Sequence, residues 1–137
     1  MIAGSDLKDL GIHTEMFVDS MVDMVEKGRV TGARKSMDRH KIVATIALDT
    51  QRTYDFINGN PMCVFMPVNY TNDPYIIGQL DNFISINSCI DVDLYGQINS
   101  ESSGTRQIGE HRRLYLFCRG LLSVKRGKRF HMYGFDL

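Results

Sequence analysis

Two side chains near the start of the chain, His13 and Glu15, are of the types that carry out acid–base and covalent chemistry. A glutamate carboxylate is ionised at neutral pH, so it can attack an acyl carbon without a separate base. Histidine can transfer protons near neutral pH, but an imidazole that packs or hydrogen-bonds at a corner of the chain is the more common case. Residue type and spacing therefore make Glu15 a candidate nucleophile and favour a structural role for His13.

A helix is predicted to position Glu15. Residues 14–27 place methionines and other apolar side chains at helical spacing, with Thr14 as the N-cap and Gly28 as the C-terminal stop. Glu15 then falls in the first turn, where the helix macrodipole stabilises an ionised carboxylate. Most acidic residues at this position only begin a helix, so the position alone does not assign Glu15 a catalytic role.

The segments that follow predict strands interleaved with further helices. Residues 42–48 are mostly apolar and β-branched and predict a buried strand. Residues 50–57 predict a short helix, and Asp73 followed by Pro74 marks the start of another helix, which continues to residue 79. The remaining predicted strands are residues 63–68, 83–87, 90–94 and 114–118. Strands alternating with helices are typical of an α/β layered domain.

Length and composition exclude several classes of protein. The chain has 137 residues, of which 43% are hydrophobic and 23% charged, as in an ordinary globular domain. No apolar run reaches the about 20 residues that cross a bilayer. The acidic residues Asp6 and Asp9 do not fit a secretory signal. We therefore expect one folded domain and no membrane partner.

Cysteine and histidine usage predicts a cytoplasmic protein without a metal. The cysteines Cys63, Cys89 and Cys118 are odd in number and widely spaced, which suits a reducing compartment better than a disulfide framework. They form no Cys-x-x-Cys pair. The histidines beyond His13 also lack ligand-like spacing to cysteines or acidic residues.

Short motifs that follow one another in a fixed order identify a family. Residues 11–16 (GIHTEM) and 30–35 (VTGARK) closely resemble motifs of the acetyl-CoA hydrolase/transferase family, in particular those of 4-hydroxybutyrate CoA-transferase and similar acyl-CoA:carboxylate enzymes. Further segments match in the family's order, and they are residues 54–57, 60–61, 67–68 with Tyr70, 72–74, 81–82, 86–88, 91–94, 96–97 and 104–106. The resemblance covers about residues 7–106, and the family's members are much longer chains.

The resemblance implies an α/β fold like the C-terminal domain of these enzymes, and it matches Glu15 with the family's catalytic glutamate. That carboxylate attacks the acyl-CoA carbonyl to give a mixed anhydride and free CoA thiolate. The thiolate then attacks the glutamyl carbonyl to give a glutamyl-CoA thioester, and an incoming carboxylate reverses the sequence. Coenzyme A is thus the acyl carrier. The implied substrates are an acyl-CoA of the 4-hydroxybutyryl, acetyl or butyryl type and a small carboxylate.

Three further residues within the matching motifs are candidates for substrate binding. Asn82 and Asn87 can donate hydrogen bonds to a substrate, although structural roles at the ends of strands explain them equally well. Arg106 can pair with a carboxylate or a phosphate, or it can hold its own loop in place. The family's sites also imply a homo-oligomer. Hydrolysis of acetyl-CoA and a truncated, inactive remnant of a transferase remain the alternatives to CoA transfer.

The resemblance fades after residue 108. The family continues with a G-x-G-G-Q-type segment, whose glycines let the backbone approach the thioester and donate to an oxyanion. This chain instead reads GEHRR over residues 109–113. Residues 1–105 contain 8 Lys and Arg against 14 Asp and Glu, whereas residues 106–137 contain 8 against 2. We therefore divide the chain into a transferase-like region, residues 1–108, and a divergent basic tail, residues 109–137.

A shifted reading frame would explain both the loss of the family's motifs in the tail and its excess of basic residues. Such a tail was never selected to pack on this core, so few of its apolar residues should be buried; these are Leu114, Leu116, Phe117, Leu121 and Leu122. A nucleic-acid-binding patch at residues 125–129 is a weaker alternative, because nothing upstream resembles a nucleic-acid-binding fold. We expect no nucleic-acid partner.

Overall fold

The computed structural model describes residues 4–100, 102–103, 105–107, 122–124 and 126–133 of the chain. The length predicts one domain, whereas the chain forms two compact units, Met1–Asn72 and Asp73–Leu137. The division that the sequence suggests after residue 108 remains a prediction.

The first unit is built on short parallel strand pairs with helices between them. Its elements are β1 (Met16–Phe17), α1 (Asp19–Glu26), β2 (Ile42–Ala44), β3 (Ile46–Ala47), α2 (Gln51–Ile57), β4 (Cys63–Phe65) and α3 (Val68–Thr71). Strand β1 pairs with β3, and β2 pairs with β4, both in parallel. An isolated parallel bridge joins His13 to Val43. The segment that carries His13 and Glu15 therefore runs beside the apolar strands.

The core of this unit explains where that segment lies. Phe17 of β1 and Val22 of α1 are fully buried, and they pack with Ile42 and Ala44 of β2. The ring of Phe17 stacks on that of Phe56 in α2, with centroids 5.9 Å apart. Burial of such apolar side chains supplies the main driving force for folding. Because Phe17 is anchored in the core, the residues just before it are held against β2 and β3.

Helix α1 begins later than the sequence predicts. It spans Asp19–Glu26 rather than residues 14–27, so Glu15 lies at a bend just before β1 and not in a first helical turn. The carbonyl of Glu15 accepts backbone hydrogen bonds from Thr45 and Ile46, at 3.0 and 2.9 Å, and these bonds hold the bend in place. The macrodipole argument for Glu15 is therefore wrong.

Other sequence predictions are closer to the structure. The helices predicted at residues 50–57 and 73–79 are confirmed, and Asp73 caps the second by accepting from the backbone N–H groups of Tyr75 and Ile76. The strand predicted over residues 42–48 is divided into β2 and β3. The strand predicted over residues 63–68 ends at Phe65, and α3 follows it.

In its described residues, the second unit contains one helix and several strand pairs. Its elements are α4 (Pro74–Gly78), β5 (Ile84–Cys89), β6 (Asp91–Val92), β7 (Ile98–Asn99), β8 (Ser102–Ser103), β9 (Arg106–Gln107) and β10 (Lys128–Tyr133). Strand β10 pairs in parallel with β5, whereas β6 pairs with β7 and β8 with β9 in antiparallel fashion. Ile77 and Val124 are buried together and pack with Phe83.

Much of the basic tail lies outside the described residues. The predicted strand at residues 114–118 is there, as are the tail leucines and the phenylalanine named above, except Leu122. Leu122 is 81% exposed. None of the helices in the described part of the chain has the length and apolar character needed to cross a membrane.

Candidate active site

Glu15 lies at a bend in the chain, and backbone hydrogen bonds fix the chain on both sides of it. The backbone N–H of Thr14 donates to the carbonyl of Val43 at 3.0 Å, and the carbonyl of Glu15 accepts the two bonds described above. The side chain of Glu15 is half-buried. The carboxylate is thus presented from a rigid backbone, as a catalytic group requires.

The Glu15 carboxylate is held by a buried asparagine. Asn72 follows the last residue of α3, and its Nδ2 donates to Oε2 of Glu15 at 2.8 Å. Asn72 is only 2% exposed. Within the described part of the chain, its Oδ1 atom is buried and has no hydrogen-bond partner. A hydrogen bond from an amide to a carboxylate is stronger than one between neutral groups, so Asn72 fixes the orientation of Glu15.

His13 also contacts the end of α3. It is 9% exposed, and its Nε2 lies 2.8 Å from the carbonyl oxygen of Thr71. Burial lowers the pKa of His13; the hydrogen bond to Thr71 opposes this, the charge of Lys35 lowers the pKa further, and Asp38 raises it. Imidazole is therefore neutral at pH 7. Since a carbonyl can only accept, the proton lies on Nε2.

Two hydroxyl groups add a further contact at the end of α3. Oγ1 of Thr45, the residue between β2 and β3, lies 2.5 Å from Oγ1 of Thr71. Thr71 is fully buried. The turn formed by Thr71 and Asn72 is thus joined to the Glu15 segment and its neighbouring strand by three side-chain hydrogen bonds.

The VTGARK motif also supports the segment that carries His13 and Glu15. Lys35 donates from Nζ to the carbonyls of Ile12 and Lys41, at 3.2 and 2.9 Å, and burial lowers its pKa. Gly32 has φ +65°, and a Cβ there would lie 2.9 Å from Cα of His40. Both the left-handed conformation and this close approach require glycine.

The three predicted substrate-binding residues belong to the second unit. Asn82 is exposed and has a left-handed φ of 56°. Asn87 lies in β5 and donates from Nδ2 to Oγ of Ser85 at 2.6 Å. Arg106 is exposed in β9 and is paired with Ser103 in β8. Their role in substrate binding remains a prediction.

The predicted absence of a metal ion stays a prediction, and one observation on the described ranges bears on it. They contain no group of three or more His, Cys, Asp and Glu side chains arranged to hold a metal ion.

Residues 50–133 match the family described as acetyl-CoA hydrolase/transferase C-terminal domain. The chain is also 52% identical over 130 residues to the butyryl-CoA:acetate CoA-transferase of Anaerostipes caccae, covering 95% of this chain and 29% of that protein. The chain belongs to the acetyl-CoA hydrolase/transferase family. The 4-hydroxybutyrate coenzyme A transferase of Clostridium kluyveri is 43% identical, covering 88% of this chain and 28% of that protein.

Solved structures of related chains have the same fold. The crystal structure of RipA from Yersinia pestis is 40% identical and superposes with a TM-score of 0.79, covering 92% of this chain and 27% of that one. A 4-hydroxybutyrate CoA-transferase from Porphyromonas gingivalis is 38% identical with a TM-score of 0.76, covering 89% of this chain and 28% of that one. The predicted family and the α/β fold class are therefore confirmed.

The chain spans less than a third of the length of these family members. The family match extends to residue 133, within the stretch that the sequence separates as a basic tail. Asn72 is the site residue that sequence reasoning missed. It stands in a motif that the resemblance already includes, but its 57-residue separation from Glu15 hides the contact.

Proposed function

We propose that this chain supplies the nucleophile-bearing part of a CoA-transferase, which exchanges CoA between an acyl-CoA and a free carboxylate through Glu15. The observation that carries the proposal is the bond from buried Asn72 to the Glu15 carboxylate. It occurs at the glutamate of the GIHTEM motif in a member of this family.

The chemistry starts with the carboxylate. An oxygen of Glu15 attacks the thioester carbon, and the C–S bond breaks to leave a mixed anhydride and CoA thiolate. The thiolate attacks the glutamyl carbonyl, which releases the first carboxylate and leaves a glutamyl-CoA thioester. The acceptor carboxylate then attacks this thioester, and the returning thiolate takes the new acyl group and frees Glu15. One thioester replaces another, so no ATP is consumed.

Asn72 suits this sequence in two ways. Its amide donor orients the carboxylate before attack, which lowers the cost of reaching a reactive geometry. The same donor lies where an oxygen of the glutamyl group carries developing negative charge in the two steps that add to the glutamyl carbonyl, namely attack by CoA thiolate on the anhydride and attack by the acceptor carboxylate on the thioester. The bond to Asn72 is thus available both before and during the reaction.

A graft tests the proposal in a protein of the family's full length. Residues 7–106 of this chain replace the corresponding segment of the Anaerostipes caccae enzyme, and exchange between butyryl-CoA and acetate is measured. We expect exchange in the graft and none in its Glu15→Ala variant. Glu15→Asp should lose activity by about 100-fold or more, because one methylene less withdraws the carboxylate by more than 1 Å.

Glu26→Ala is the matched control, since Glu26 is an exposed glutamate that pairs with Arg52 on the helix surface. It should leave exchange unchanged. The proposal fails if Glu15→Ala exchanges at a near-normal rate. It also fails if the graft melts like the parent enzyme but does not exchange. Release of free CoA without acyl exchange would favour the hydrolase alternative.

A further inference from the structure

The side chains of His13 and Glu15, two residues apart in one short segment, contact two consecutive residues at the end of α3. His13 contacts the carbonyl of Thr71, and Glu15 contacts the side-chain amide of Asn72. The chain bends at Glu15, and both side chains still reach the end of α3. The two contacts therefore fall on residues that one peptide unit joins, the unit between Thr71 and Asn72.

The bond made by His13 is to the backbone, which gives it a particular consequence. The carbonyl of Thr71 belongs to the same planar peptide unit as the N–H of Asn72. A hydrogen bond that fixes the Thr71 carbonyl therefore also fixes the peptide plane that leads into Asn72. The hydroxyl contact between Thr45 and Thr71 acts on a side chain instead and leaves this plane less constrained.

We propose that His13 is a positioning residue, whose Nε2–H bond to the Thr71 carbonyl orients the peptide that aims Asn72 at Glu15. The inference rests on the proposed function of Glu15 for its catalytic meaning. His13 takes no part in proton transfer during CoA exchange, because its Nε2 proton is committed to a buried carbonyl.

The environment of the ring agrees with this role. His13 is buried, and its ring centroid lies 6.3 Å from that of Tyr70, the residue before Thr71. The charged groups that act on the imidazole are Lys35 and Asp38. Desolvation keeps the ring neutral, so a single tautomer with the proton on Nε2 is maintained at pH 7.

Nuclear magnetic resonance of the 137-residue chain tests the inference without any activity. The ring nitrogen shifts of His13 should show a proton on Nε2 at pH 7. The second readout is the exchange rate of the Asn72 side-chain amide protons. His13→Gln places an amide donor where Nε2 was, whereas the shorter His13→Asn cannot reach the Thr71 carbonyl.

We expect His13→Asn to accelerate exchange at the Asn72 amide about tenfold, as for loss of one supporting hydrogen bond, and His13→Gln to stay within about threefold of the unsubstituted chain. Val22→Ala is the control for general destabilisation, since Val22 is a fully buried core residue of α1 that packs with Phe17 and Ile42. It should raise exchange at Asn72 no more than at the backbone amides of β2.

Three results would overturn the inference. One is a proton on Nδ1 rather than Nε2. Another is an Asn72 exchange rate that rises in His13→Asn only in step with the amides of β2. The third is a His13→Gln chain that behaves like His13→Asn.

The graft described above separates this inference from the proposed function. His13→Asn and Asn72→Ala should each lower kcat about 10-fold or more with KM little changed. The double variant should be no slower than Asn72→Ala alone, because His13 acts through Asn72. Losses that multiply would contradict the positioning role. Undiminished CoA exchange in Glu15→Ala would overturn the proposed function, but it would not affect the nuclear magnetic resonance test of His13.

Discussion

The carboxylate of Glu15 is placed by backbone bonds to the residues after β2 and by one amide from the end of α3. Neither feature depends on the surface charge of the chain. A nucleophile held in this way needs little reorganisation before it attacks, which is the usual advantage of a preorganised site.

A pH-dependent stability should follow from His13. Burial lowers its pKa in the folded chain, so the unfolded chain takes up a proton first as the pH falls. Stability contributed by neutral His13 is therefore complete above about pH 6.5 and is lost as the pH falls through the lowered pKa. Urea unfolding at several pH values should show this loss in the original chain and a smaller one in His13→Gln.

Other titrating groups do not account for a difference in pH dependence between the original chain and His13→Gln. Lys35 and Asp38 act on His13 and are present in both chains. The Asp19 carboxylate has its pKa lowered by the hydroxyl groups of Thr50 and Thr53, so its contribution is lost at more acidic pH. Equal slopes for both chains between about pH 7 and pH 5 would contradict the prediction.

Glu15 could be singled out from the sequence because the residues on either side of it form a recognisable motif. The sequence alone does not identify Asn72 as the partner of Glu15, because the two residues come together only where α3 ends beside the Glu15 segment. The sequence favours a structural role for His13, but it gives no sign that the acceptor is a backbone carbonyl, because no side-chain pattern reveals one.

At the scale of elements, the loop that follows α1 depends on glycine to different degrees at two positions. Gly28 and Gly32 both have left-handed φ, +67° and +65°. A Cβ on Gly28 would meet nothing within 4 Å, whereas one on Gly32 would lie 2.9 Å from the backbone of His40. The two glycines therefore have the same backbone conformation, but only Gly32 lacks space for a side chain.

Gly28→Ala should lower the free energy of unfolding by about 1 kcal/mol, the cost of a left-handed alanine. Gly32→Ala should cost about 1–3 kcal/mol more, because backbone cannot move aside as a side chain can. Chemical denaturation of both variants measures the difference. Equal losses would show that the loop at residues 32–40 adjusts freely.

Local sequence signals predicted the elements whose ends are set locally. Helix α4 begins at Pro74 because Asp73 caps it, and both residues are adjacent in the sequence. Helix α1 is different: the Asp49 carboxylate accepts from the backbone N–H of Asp19 at 3.0 Å, 30 residues away. Burial of Phe17 and pairing of β1 with β3 then override the helical spacing of residues 14–18.

At the scale of the whole molecule, the chain covers 29% of the length of its relative from Anaerostipes caccae. CoA transfer draws on binding energy from the whole of a large substrate. We therefore predict no measurable exchange by residues 1–137 alone. A kcat in the usual range of ~1–10³ s⁻¹ for the isolated chain would contradict this.

A second graft tests the tail. Extending the grafted segment from residue 106 to residue 137 brings in the GEHRR sequence at residues 109–113 in place of the family's glycines. We predict that this longer graft exchanges about 10²–10³-fold more slowly than the shorter one, as for loss of oxyanion donors. Equal rates would mean that the glycines are dispensable and that the tail is a working part of the domain.

The most direct measurement of the central claim is covalent trapping in the shorter graft. Incubation with butyryl-CoA followed by borohydride should reduce a glutamyl-CoA thioester to an alcohol, with release of CoA, and peptide mass spectrometry locates the altered residue. The account predicts that Glu15 is converted only when butyryl-CoA is present and that Glu26 never is. Exchange that proceeds while Glu15 stays unmodified, or modification of another carboxylate in its place, would contradict it.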